Sequence, residues 1–106
     1  MSRNSLGGFE HLVLLAILRQ GGESYSVPIV VELEARTGRG MAPAAVYIAL
    51  TRLEKRGLLR SRRVDADEES GRPRRYFALE EAALEKLRET KRDLSSLWQG
   101  LDPALE

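Results

Sequence analysis

The stretch APAAVYIALTRLEKRGLLRSRR, residues 42–63, decides the fold because it joins a two-faced helix to a basic strand. Pro43 suits the first position of that helix, since its φ is already close to the helical value and no N–H is needed there. Gly57 follows as a stop signal. At helical spacing, one face is apolar and consists of Val46, Ala49, Leu50 and Leu53. The opposite face is small near the start and cationic near the end, which suits close approach to a polyanion.

Two helical patterns precede this stretch. The first runs from Leu6 to Arg19 and is apolar almost all round, so it has to be covered on more than one side. A pair of glycines ends it. The second has Ser24 or Ser26 as its N-cap, Pro28 in its first turn and Gly38 as its stop. A short glycine-containing turn therefore joins two helices ahead of the third.

Two strand patterns follow the third helix, one from Leu58 to Val64 and one from Arg74 to Leu79. The segment between them holds acidic residues, serine, glycine and proline, which is typical of a loop. We therefore predict a β-hairpin. Arginines cluster near its base on both arms: Arg60, Arg62, Arg63, Arg72, Arg74 and Arg75.

Three helices followed by a basic hairpin are the order of a winged helix-turn-helix, in which the third helix enters a DNA major groove. The charge distribution agrees with this order. Residues 39–75 hold ten basic and five acidic side chains, a net charge of +5, whereas residues 1–38 and 76–106 carry −1 and −3. The predicted fold class is mainly α with a small β-hairpin: a winged helix-turn-helix DNA-binding domain over residues 1–79 and a C-terminal dimerisation helix and tail over residues 80–106.

The last segment is predicted to pair two copies of the chain. Its apolar residues recur at intervals of three and four, a heptad seam interrupted by Lys91. A second copy is the natural cover for this seam and for the apolar first helix, although the seam can also fold back on its own chain. The predicted dimerisation residues are Phe9, Leu12, Leu84, Leu87, Leu94, Trp98 and Leu101.

Trp98 admits two interpretations. Its indole is bulky and apolar with one N–H donor, so two such rings near a two-fold axis can wall a site for a small hydrophobic or aromatic effector. The plainer alternative is packing between the two copies.

Three stretches of the chain resemble PadR-type transcriptional regulators: FEHLVLLAILRQGGESYSVPIVVELEARTG, APAAVYIALTRLEKRGLLRSRR and GRPRRYFAL. The resemblance implies a dimeric transcription factor of the short form of the family, usually a repressor, that binds a palindromic operator. The sequence departs from the family pattern at Ala42, where a hydroxyl residue commonly caps the third helix, and at Glu80 and Ala83 around the start of the last helix. The hairpin tip is acidic and holds Asp65, Asp67, Glu68 and Glu69.

The predicted DNA-binding residues fall into two groups. Bases are read by the third helix through Ala44, Ala45, Ile48, Thr51 and Arg52, with Arg52 as the candidate for guanine. The DNA backbone is contacted by Tyr25, Tyr47, Arg62, Arg63, Arg72, Arg74 and Arg75.

Other classes of function find little support in the residues. No nucleophile–base pair and no glycine loop with a lysine is present, so we predict no enzyme activity and no cofactor. Without cysteine, and with His11 as the only histidine, no metal site is expected. No run approaches a membrane span, and the predicted location is the cytoplasm. The expected partners are double-stranded DNA and a second copy; the alternative is a winged-helix module that binds an acidic protein.

Overall fold

A computed structural model describes residues 6–65 and 72–101 of the chain. In these ranges four helices surround one small antiparallel sheet, whose strand order is β1-β3-β2. The elements in chain order are α1 (Gly8–Arg19), β1 (Glu23–Ser24), α2 (Ser26–Thr37), α3 (Pro43–Lys55), β2 (Leu59–Val64), β3 (Arg74–Leu79) and α4 (Glu81–Trp98). This is the arrangement of a winged helix, and it confirms the predicted fold class.

The core lies where α1, α2 and α3 meet the sheet. The predicted apolar face of α3 is confirmed, since Val46, Ala49, Leu50 and Leu53 are all buried. Phe77 from β3 is the largest fully buried side chain and packs in the same cluster. The opposite face of α3 is thereby left on the surface.

Two helix starts differ from the sequence prediction. The first helix begins at Gly8 rather than Leu6, because Gly7 is its N-cap and donates its N–H to the Glu10 carboxylate at 3.3 Å. The second helix is not capped by a serine side chain: Tyr25 occupies the N-cap position and Ser26 is the first helical residue. Ser24 is instead buried, and its hydroxyl contacts the side chain of Gln20.

The strand β1 is absent from the sequence prediction. Gly21 and Gly22 both have positive φ, and the left-handed turn that they form directs the next two residues along the hairpin. Glu23 then pairs with Ala78, and Ser24 pairs with Phe77. The base of the hairpin is therefore attached to the segment that leads into α2.

The register of the hairpin divides its arginines between two faces. Arg63 is opposite Arg75, and Arg62 is opposite Tyr76. Since successive residues of a strand point to opposite faces, Arg63 and Arg75 share the face of buried Phe77, whereas Arg62 lies on the other face. The arginines that cluster near the base of the hairpin in the sequence are therefore divided between its two faces.

Helix α4 is shorter than the predicted seam. It ends at Trp98, because Gly100 adopts a positive φ of 82° beyond the C-cap, so Leu101 lies outside the helix. Ala83 and Leu87 are buried in the core of their own chain, while every residue from Lys91 onward in the described part is exposed. The second half of α4 is therefore exposed throughout, whereas Leu87 packs in the core of its own chain.

Candidate nucleic-acid interface

The exposed face of α3 presents small and apolar groups next to one arginine. Ala44 and Ala45 are exposed at its first turn, and Ile48 is 50% exposed. Arg52 is exposed, and its side chain makes no hydrogen bond or ion pair with any residue that the structure describes. Thr51 is half-buried, and its hydroxyl donates to the Ile48 carbonyl at 2.9 Å. This face can approach a groove closely, and it carries one guanidinium without a partner among the described residues.

The hairpin places two arginines beside α3, next to Tyr47. Arg75 donates to the Ser61 hydroxyl at 3.0 Å, and Ser61 donates to the Glu54 carboxylate of α3 at 2.5 Å. This chain of hydrogen bonds holds the Arg75 guanidinium at a defined position relative to α3. Arg63 is exposed and, like that of Arg52, its side chain makes no hydrogen bond or ion pair within the described residues.

Tyr47 connects α3 to the hairpin. Its ring meets the buried Phe77 ring edge-on, with a centroid separation of 6.3 Å and an interplanar angle of 81°. It remains 46% exposed and borders a hollow of about 240 Å³ between α3 and the hairpin. The other residues that line the hollow are Arg63, Pro73, Arg74 and Arg75.

A second cleft, of about 540 Å³, opens at the start of α2. No side chain caps that helix end, so its first N–H groups and the positive end of its dipole favour an anion. Tyr25, Tyr47, Arg72, Arg74 and Arg75 are among the residues that line the cleft. Arg74 lies over the Tyr25 ring, 4.6 Å from its centroid. The arrangement suits a phosphate group.

On the other face of the sheet, Arg60 and Arg62 are already paired with carboxylates. Arg62 donates two hydrogen bonds to Glu23, at 2.9 and 3.0 Å, and its guanidinium lies 4.8 Å from the centroid of the Tyr76 ring. These hydrogen bonds lower the pKa of the Glu23 carboxyl and raise the pKa of Arg62. Arg60 donates one hydrogen bond to the Glu80 carboxylate at 2.9 Å and one to the Leu79 carbonyl at 3.2 Å.

The structure thus gathers most of the predicted DNA-binding residues and separates one of them. Arg62 lines neither of the arginine clefts, although strand alternation places it on the same face of the hairpin as Arg74. The acidic tip is described only at Asp65, since Asp67, Glu68 and Glu69 lie outside the described residues. The residues that adjoin α3 or its neighbouring clefts are Tyr25, Ala44, Ala45, Tyr47, Ile48, Thr51, Arg52, Arg63, Arg72, Arg74 and Arg75.

An apolar groove of about 670 Å³ runs between α1 and α4, on elements distinct from the arginine clefts. Four of the predicted dimerisation residues line it: Leu84, Leu87, Leu94 and Trp98. Phe9 and Leu12 are half-buried against their own core instead. Leu15 and Leu18 also line the groove; neither is among the predicted dimerisation residues, although the all-round apolar pattern of α1 already pointed to them.

His11 also lines this groove. Its Nδ1 atom is buried without a hydrogen-bond partner among the described residues, and burial lowers its pKa. Within the ranges that the structure describes, no group of three or more His, Asp or Glu side chains could hold a metal ion. No helix in those ranges is long and apolar enough to cross a membrane.

The chain is similar to known proteins in both sequence and fold. A family model described as the transcriptional regulator PadR-like family matches residues 14–89. The fold is similar to that of a PadR family transcriptional regulator from Eggerthella lenta, with 28% sequence identity, a TM-score of 0.68 and coverage of 90% of this chain and 81% of that chain. A PadR family regulator from Clostridium difficile is similar at 20% identity and a TM-score of 0.71, with coverage of 93% and 100%.

A third similar structure is that of Bordetella bronchiseptica BpsR, whose DNA binding is regulated by 6-hydroxynicotinic acid. It shares 22% identity with a TM-score of 0.67, and the match covers 98% of this chain and 74% of that chain. No curated protein matches the chain.

Proposed function

The chain belongs to the PadR-like family of transcriptional regulators, and we propose that it is a repressor that binds a palindromic operator as a homodimer. Each protomer inserts α3 into a major groove and lays the α3-side face of its hairpin along the adjacent DNA backbone. A small hydrophobic or aromatic effector, bound at the interface between protomers, releases the DNA.

One observation carries the DNA-binding part of the proposal. Arg63 and the positioned Arg75 lie beside Tyr47 and the open end of α2. Arg52, whose side chain has no partner among the described residues, lies on the exposed face of α3, and together these groups make up the proposed DNA-binding surface. Cations without intramolecular partners are the groups best able to contact phosphates, because no internal ion pair has to be broken first. Arg60 and Arg62, by contrast, are already paired with carboxylates.

The residues of this surface divide between positioning and sequence readout. Arg63, Arg75 and the cleft at the start of α2 contact phosphates, which set the register of the protein on the duplex. Arg52 reads guanine, and Ile48 covers a thymine methyl group. The small side chains of Ala44 and Ala45 allow the first turn of α3 to approach the base edges closely.

The groove between α1 and α4 supports the homodimer. It exposes large apolar side chains from both helices, among them Leu15, Leu18, Leu94 and Trp98. A second copy, placed by a two-fold axis, buries the same side chains of both protomers and positions the two α3 helices for successive major grooves. The effector, in this proposal, occupies what remains of the groove beside Trp98.

Selection from a random duplex library, made with the full chain, tests the proposal. Recovery of a two-fold symmetric motif is the expected result, and Arg52→Ala is expected to relax the preference at one position of each half-site. Glu89→Gln, an exposed change on α4, serves as a control that leaves the motif unchanged. Recovery of no motif, together with tight binding to an acidic protein, would show that the chain is a protein-interaction module instead.

The effector is tested on the same complex. A panel of flat aromatic compounds is added to the protein bound to its selected operator, with dissociation followed by fluorescence anisotropy. Release by a member of the panel is expected to depend on Trp98, so that Trp98→Leu keeps DNA binding but loses the response. Release that is unchanged in Trp98→Leu would contradict the proposed position of the effector.

A further inference from the structure

Five side chains form a continuous stack along the hairpin and the start of α2. Arg74 lies over the Tyr25 ring, Tyr25 meets Tyr76 edge-on at a centroid distance of 5.2 Å, and Arg62 lies over the other ring, Tyr76. Glu23 ends the stack by accepting two hydrogen bonds from Arg62. The two arginines of the stack differ, because only Arg62 is held by a carboxylate within it.

The position of Glu23 in the sheet allows its contact with Arg62. Glu23 belongs to β1, the short strand that the glycine turn attaches to the edge of β3, and it is paired there with Ala78. Arg60 and Arg62 come from β2, on the far side of β3. The carboxylate therefore reaches across the central strand to a guanidinium two strands away.

A bidentate contact leaves the Arg62 guanidinium little capacity for another anion. Guanidinium binds carboxylate and phosphate through the same planar pair of N–H groups, so one anion excludes the other from that edge. A DNA phosphate would have to displace Glu23 before it could bind Arg62 in that way. Arg63, the next residue along the strand, faces no such competition.

We propose that Glu23 withholds Arg62 from the DNA backbone and thereby limits the sequence-independent affinity of the protein for DNA. The inference rests on the proposed DNA-binding function and adds a residue that sets the sequence-independent affinity without contacting DNA itself. Phosphate contacts raise the affinity for all sequences alike, whereas base contacts raise it for one. A carboxylate that removes one cation per protomer lowers the first contribution, so it lowers the affinity of the protein for DNA of any sequence.

The test is the salt dependence of binding to a random-sequence duplex. Each additional phosphate bound by the protein steepens the slope of log K against log salt by about 0.9, so Glu23→Gln steepens it by about 1.8 for a dimer. The affinity advantage of Glu23→Gln over the wild type then shrinks roughly tenfold between 50 and 200 mM salt. Arg62→Ala alone leaves the wild-type slope unchanged, and adding Arg62→Ala to Glu23→Gln restores the wild-type slope.

Glu32→Gln is the matched control. It removes the same charge and frees Arg19 and Arg36, which lie away from the hairpin, near the C-terminal ends of α1 and α2. It is expected to leave the slope unchanged, so that a general loss of negative charge is separated from the release of Arg62. Both glutamate pairs are on the surface, where such pairs contribute little to stability, and thermal melting checks that each variant remains folded.

The outcomes distinguish this inference from the proposed function. A wild-type slope in Glu23→Gln, or a shallower slope in Arg62→Ala alone, overturns the inference while the wild type still binds its operator. An equally steep salt slope in Glu32→Gln also overturns the inference, because the effect then does not depend on the release of Arg62. A wild type that binds no DNA overturns the proposed function and this inference with it.

Discussion

Truncation of Leu94 is expected to weaken the homodimer by an amount that follows from its exposure. Leu94 lies in the second half of α4, lines the groove between α1 and α4, and is 45% exposed in the single chain. Complete burial of a leucine side chain contributes about 2 kcal/mol, so burial of the exposed part contributes about 1 kcal/mol. Because a two-fold interface contains Leu94 twice, Leu94→Ala raises the dimer Kd by roughly 20-fold.

Sedimentation equilibrium over a range of protein concentrations measures this change directly. Val31→Ala is the matched control, because Val31 is also an apolar helix residue, 59% exposed, but lies on α2 outside the groove. It is expected to leave the dimer Kd unchanged. A folded Leu94→Ala protein with the wild-type Kd, or an equal loss in Val31→Ala, would refute the assignment of the groove to the dimer.

Three further predictions concern stability and DNA contact. Ala42→Ser supplies the missing side-chain cap of α3 and is expected to stabilise the chain by about 1 kcal/mol in denaturant unfolding; an equal or lower stability would contradict it. Arg63→Ala and Arg75→Ala each make the salt slope of DNA binding shallower by about 1.8 per dimer, and an unchanged slope in both would remove them from the phosphate contacts. Burial lowers the pKa of His11, so the unfolded chain binds a proton more readily than the folded one. Stability is therefore expected to fall as the pH drops below about 6.5, as followed by thermal melting, and His11→Asn should remove that part of the pH dependence.

The sequence predicted the winged-helix order well because its strongest signals are local. The sequence of α3 shows a proline at its first position, an apolar face and Gly57 after its end, and each of these signals can be recognised without knowledge of the rest of the chain. In the structure that face is buried and Gly57 has a positive φ. The match of the PadR-like family model to residues 14–89 confirms the family to which those stretches pointed.

Strand β1 could not be predicted in the same way. Two residues have no periodicity, and Glu23 and Ser24 become a strand only through pairing with β3, more than fifty positions away. The pairing of Glu23 with Arg62 depends on that strand, so it was equally hidden. The division of the arginines, however, was available from the sequence, since Arg62 and Arg63 are adjacent and adjacent residues of a strand point to opposite faces.

The end of α4 shows a limit of periodicity. Spacing alone places Leu101 on the same stripe as Leu94 and Trp98, but Gly100 adopts a left-handed conformation and the helix ends before it. Spacing also cannot distinguish a stripe that packs on its own chain from one that meets a partner. Leu87 belongs to the first kind, and Leu94 is exposed in the single chain.

The central claim is that one α3 surface is presented twice at a separation that the duplex accepts. Hydroxyl-radical footprinting on the selected operator, with the stoichiometry of the complex determined in parallel, tests it most directly. We expect two protein chains per operator and two protected patches on one side of the duplex, centred about 10 base pairs apart. A single protected patch occupied by one chain would contradict it.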